Sequence, residues 1–68
     1  KGVDTIMTWE EKMAWGKETY KSWKCVPMDA RIIDEMFMND AEIDGIKLEE
    51  DDIYAMTDAV LNGEWDNL

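Results

Sequence analysis

Trp9, Met13, Gly16, Tyr20 and Trp23 recur at spacings of four, three, four and three, and side chains with that period gather on one side of an α-helix and nowhere else. A helix with one buried face is therefore required near the start of the chain, and the remaining residues must cover that face. Thr8 with Glu11 three residues on is a reciprocal capping box, and Glu10 and Glu11 suit the positive end of the helix dipole, so the helix starts at Thr8. Gly16 interrupts the stripe at a cost of about 1 kcal/mol in helix propensity, which makes sense where another element crosses closely. Trp15 falls about 120° off the stripe, at about 100° per residue, and is read as a flank and a candidate binding hot spot. Pro27 ends the helix by about residue 25, because the residue before a proline avoids helical geometry.

Asp29 is the candidate cap of a second helix, whose inner face is Ile32, Ile33, Met36 and Phe37 and whose end is read at Asn39 and Asp40. Asp44-Gly45, between Ile43 and Ile46, is a hairpin-turn signal, so residues 41–48 are expected to form a tight turn or short β-hairpin. Glu49, Glu50, Asp51 and Asp52 then open a third helix, where acids meet the unpaired N–H groups of its first turn. Ile53, Met56, Val60 and Leu61 form its inner face, with Tyr54 on the edge, and Asn62-Gly63 signals a left-handed C-cap. Trp65 is expected to fold back onto the helices. The fold class expected is mostly α, a small three-helix domain with the 41–48 turn before its third helix. The expected core is Trp9, Met13, Tyr20, Trp23, Ile32, Ile33, Met36, Phe37, Ile53, Met56, Val60 and Leu61.

At 68 residues the chain is read as one domain, 1–68, burying about 60% of its unfolded surface. Four Trp and six Met in a composition that is 46% hydrophobic separate it from disordered acidic tails. With no His, one Cys (Cys25) and one Ser (Ser22), it cannot build a Ser-His-Asp or Cys-His site, a multi-Cys zinc site or an internal disulfide, and it is read as no enzyme and as needing no cofactor. No membrane-span run or secretory signal is read in it, and the expected location is cytoplasmic. No function is placed on residues 1 to 6.

Charge is distributed unevenly. Seventeen acids against seven bases give a net charge of −10. Residues 1 to 24 hold five of the Lys and are nearly neutral, while Arg31 and Lys47 face thirteen acids between residues 25 and 68. Direct nucleic-acid binding is disfavoured, since phosphates call for clustered Lys and Arg. Solubility alone accounts for many acidic surfaces. The more specific reading takes Asp34, Glu35, Asp40, Glu42, Glu49, Glu50, Asp51, Asp52 and Asp58 as an outward-facing set of carboxylates. Held on a rigid scaffold, they can imitate a row of phosphates and compete for the basic surface of a nucleic-acid-binding protein. Small phage-encoded inhibitors of nucleases, restriction systems and CRISPR effectors share this size and charge.

Two local patterns suggest alternatives. Asp40-Ala-Glu42-Ile-Asp44-Gly45 is similar to the first half of an EF-hand loop, with acids at positions one, three and five and Gly at six, though Lys47 and Asp51 stand where an apolar residue and a bidentate Glu belong. The likeness implies at most a weak calcium module, and a turn with solvated acids and no metal is the reading preferred. Asp40-x-x-x-Asp44-Gly45 with Gly63-Glu64 resembles short antitoxins that block Fic-type toxins, in which Ser-x-x-x-Glu-Gly ends an inhibitory helix; Asp40 and Asp44 stand in place of that Ser and Glu. This resemblance implies an antitoxin-like or assembly partner that binds through an apolar helical face, where Trp15, Met38 and Tyr54 would matter more than the acids. A first helix packed on two sides would instead make a homodimer.

Overall fold

The computed structural model describes residues 7–66. Its elements are α1 (Trp9–Ser22), α2 (Ala30–Asp44) and α3 (Glu50–Leu61), with no strand among the described residues. None of these helices is long and apolar enough to cross a membrane. The start of the chain, on which no function was placed, lies outside the described residues.

Local chemistry sets the helix ends. The Thr8 hydroxyl accepts from the Glu11 N–H at 3.1 Å, and the Glu11 carboxylate accepts from the Thr8 N–H at 2.9 Å, which is the expected capping box. Asp29 caps α2 by accepting from the Arg31 N–H at 2.9 Å. After α3, Gly63 adopts φ 72°, the Gly63 N–H reaches the Val60 carbonyl and the Glu64 N–H the Ala59 carbonyl, a Schellman closure.

The segment 41–48 departs from the hairpin expectation. Ala41 to Asp44 continue α2 by another turn. Gly45, at φ 73°, closes the helix with its own N–H on the Glu42 carbonyl and the Ile46 N–H on the Ala41 carbonyl at 2.8 Å. An Asp-Gly pair supplies positive φ equally to a hairpin turn and to a helix end. The helix end prevails because Ala41 extends the buried row Ile33, Phe37, Ala41 by one more turn.

Paired residues fix the helix directions. Lys12 meets Asp52 and Gly16 meets Met56, both pairs rising together along the chain, so α1 and α3 run parallel. Asp34 meets Thr57 and Met38 shares a cleft with Ile53, so α2 runs antiparallel to α3. A Cβ on Gly16 would lie 2.9 Å from the Met56 Sδ and 3.2 Å from the Trp65 ring, the close crossing that the glycine anticipated.

Ile33, Phe37, Met56 and Val60 form the core, with Met13, Trp15, Tyr20, Trp23, Val26, Leu48, Leu61 and Trp65 packed around it. Phe37 lies at the centre of the aromatic groups, its ring 4.7 Å from Trp23 and 6.4 Å from both Trp15 and Trp65, within the range of favourable aromatic pairs. Trp65 does fold back. Two expected core residues are instead on the surface. Trp9 is 52% exposed, because the register between α1 and α3 sets it level with Glu49, before the covering helix begins. Ile32 is 46% exposed, because α2 packs along the single row of Ile33, Phe37 and Ala41, and Ile32 sits about 100° off that row.

Candidate functional site

The structure divides the proposed carboxylates into two groups. Glu35 and Glu42 lie on the outer face of α2, seven residues apart and so about 10 Å along its axis. Glu49, at the N-cap of α3, and Glu50, Asp51 and Asp58 within it are likewise exposed. On α3, Tyr54 lies one turn after Glu50 and one turn before Asp58, and is itself 53% exposed. Only the buried Lys12–Asp52 pair forms a salt bridge among the described residues, so none of these six carboxylates is paired with a cation of those residues.

The remaining proposed site residues hold the fold together, which corrects their assignment to an outward surface. Asp52 is 5% exposed. Its Oδ2 accepts from Lys12 Nζ at 2.8 Å and from the Glu49 N–H at 2.9 Å, joining α1 to the start of α3. Burial pushes its carboxyl up, but the hydrogen bonds from Lys12 and Glu49 and the Lys12 charge together outweigh it and hold the group below the ordinary aspartate range. Asp34, half-buried, accepts from the Thr57 hydroxyl. Asp40, also half-buried, accepts from the Trp23 Nε1 at 2.8 Å. Trp15 is no free hot spot: its ring packs on Phe37 and its Nε1 donates to the Asp44 Oδ2 at 2.8 Å. At the far end of α1, the Tyr20 hydroxyl donates to Asp66; that bond, burial and the Asp66 charge raise the phenol above its usual value.

Three aromatic donors on or just after α1 thus each end on an aspartate: Trp15 on Asp44, Tyr20 on Asp66 and Trp23 on Asp40. These roles were hidden because the sequence reading stopped α2 at Asn39–Asp40. With the helix carried to Asp44, that residue falls seven positions after Phe37, on the side of α2 that borders α1, where it stays exposed but within reach of the Trp15 indole. Asp40, half-buried one turn earlier, takes the indole N–H of Trp23 in the same way.

The helical course of 40–44 also overturns the EF-hand likeness. Calcium loops wrap acids at alternate positions around one point, whereas residues two apart on a helix point about 160° away from each other. Asp40 and Asp44 are directed at indoles, and no cluster of three metal-ligating side chains occurs among the described residues.

Beside the exposed carboxylates, a cleft of 390 Å³ opens between the C-terminal half of α2 and the start of α3. Met38, Ile46, Leu48 and Ile53 line it, with Glu42 and Lys47 also on its wall. Another, of 320 Å³, lies along α1 between Trp9, Met13 and Trp65, with Glu10 and Lys17 beside it.

No family model matches the chain, and neither a curated protein nor a solved structure matches it. Function must be argued from this surface.

Proposed function

We propose that the chain is a non-catalytic acidic interaction module that binds the basic surface of a nucleic-acid-binding protein, acting as a nucleic-acid mimic and inhibitor of the phage counter-defence kind. The observation that carries this reading is the set Glu35, Glu42, Glu49, Glu50, Asp51 and Asp58, exposed on two packed helices and without cationic partners among the described residues. Like charges held this close weaken the folded state, and a basic partner would relieve that repulsion. Packed helices fix the backbone that carries the carboxylates before binding, so little backbone freedom remains to be lost on association.

A second reading, an assembly or antitoxin-like partner that binds through an apolar helical face, draws on Met38 and Tyr54, each 53% exposed. Kinetics separate the two, since rim charges act on association and its salt dependence while apolar anchors act on dissociation. The test replaces the six exposed acids by Gln or Asn, sparing Asp34, Asp40 and Asp52, and follows binding to a partner captured from cell lysate. Circular dichroism first confirms that the variant is folded. The expected result is an association rate lowered severalfold or more and a flattened salt dependence between about 0.05 and 0.5 M, over which the Debye length falls from about 14 Å to about 4 Å. An unchanged on-rate and salt slope would make the mimic reading wrong and put the apolar face in its place.

A further inference from the structure

We infer that the cleft between α2 and α3 is an anchoring pocket for a large apolar side chain presented by a basic, amphipathic segment of the partner; the inference rests on the proposed function and specifies the partner's chemistry. Met38, Ile46, Leu48 and Ile53 give the cleft an apolar lining, and Met38 leaves more than half of its surface in water. At 390 Å³ it lies near the lower end of the roughly 300–1,000 Å³ that ligand sites span, so it suits side chains projecting from a segment better than a whole helix. Methionine is unbranched and adaptable, which suits a wall that must fit an incoming residue.

The choice of occupant comes from the charge around the cleft. The register that sets Asp34 against Thr57 also sets Glu42 of α2 opposite Glu49 at the start of α3, with Glu50 next to it. Carboxylates thus stand on both helices that bound the cleft, and all three are exposed. On the wall itself Glu42 and Lys47 offset each other, and Glu49 and Glu50, the next residues along the chain from the lining residue Leu48, make the rim acidic. A purely apolar partner would leave these carboxylates facing a low-dielectric surface, at a desolvation cost it could not offset. A segment with Leu or Phe flanked by Arg or Lys fills the lining and meets the carboxylates on both sides. In this arrangement the acids govern encounter and the cleft governs residence time.

The test uses two synthetic helical peptides of identical Arg and Lys content, one with Leu and one with Ala at a central position. Each is titrated into the isotope-labelled full chain at about 0.05 M salt and followed by NMR. The Leu peptide should bind about tenfold more tightly, the factor that roughly two buried methylenes supply, and should shift the methyl signals of Met38, Ile46, Leu48 and Ile53. In Met38→Gln, an exposed position that should leave the fold intact, the Leu advantage should shrink while Ala-peptide binding stays the same. Equal affinity of both peptides, or Leu-dependent shifts at Trp9 and Trp65 instead, would overturn the cleft inference and leave the acidic-surface reading standing. If neither peptide binds, both fail together.

Discussion

Asp52 shows how one carboxylate in an acidic chain can be structural while its neighbours stay free. Glu50 and Asp51 are exposed, but Asp52, at the third position of α3, turns inward, where it accepts from Lys12 and from the backbone before the helix. Its carboxyl is held below the ordinary aspartate value, so its contribution is fully present above the unfolded-state pKa, near 3.9, and is lost as pH falls through its own lower value. Asp52→Asn should cost about 2 kcal/mol at pH 7, since it leaves the Lys12 charge half-buried without its counter-ion. Urea unfolding between about pH 2 and 7 should show the gap between wild type and variant closing only below about pH 4. A gap constant down to pH 2 would mean that the ion pair contributes nothing. Tyr20 has the opposite sign: its raised pKa favours the folded state below about pH 10, and that contribution is lost as pH rises through the folded value.

At the scale of the element, the crossing of α1 over α3 turns on Gly16. The residue lowers helix propensity, yet it lets Met56 and the Trp65 ring approach the α1 backbone. Gly16→Ala gains about 1 kcal/mol in propensity but places a methyl 2.9 Å from a buried sulfur, and overpacking of that kind costs about 1–3 kcal/mol. The net expectation is a loss of about 1 kcal/mol for Ala and about 3 kcal/mol for the bulkier, β-branched Val, measured by chemical denaturation. Stabilisation by Ala would show that α1 and α3 pack less closely than this crossing requires. Gly45 is the contrasting case, since it has open space around it and is needed for its left-handed backbone.

The whole molecule carries a net charge of −10 with one ion pair among the described residues, so self-repulsion opposes its folding. Raising salt from about 0.05 to 0.5 M should therefore stabilise it by about 1 kcal/mol, a rise in Tm of about 4–8 °C for a domain of this size. Under the proposed function the same change weakens partner binding, so salt acts in opposite directions on fold and complex. A Tm that falls with salt would mean that the buried Lys12–Asp52 attraction outweighs the repulsion among the surface acids.

Residues close in sequence were enough to read the three helices. The Thr8–Glu11 box, the Asp29 cap, the Gly63 closure and the apolar rows each depend on groups within a turn or two, and the acidic bias needs only counting. The length of α2 and the fate of individual side chains depended on partners distant along the chain. Asp-Gly at 44–45 is locally compatible with a hairpin or a helix end, and the packing of Ala41 against the other helices decided between them. Trp9 lies on the apolar stripe of α1 yet is exposed, and Trp15 lies off it yet packs on Phe37, because the register and direction of the neighbouring helices determine which positions are covered. The acids follow the same logic: Asp34, Asp40, Asp44 and Asp52 differ from Glu35, Glu42 and Asp51 only in facing a donor on another element. Hydrogen-bond partners 17 to 40 residues away tie the first set into the fold, including Asp44, which stays exposed, whereas the second set is exposed with no such partner among the described residues.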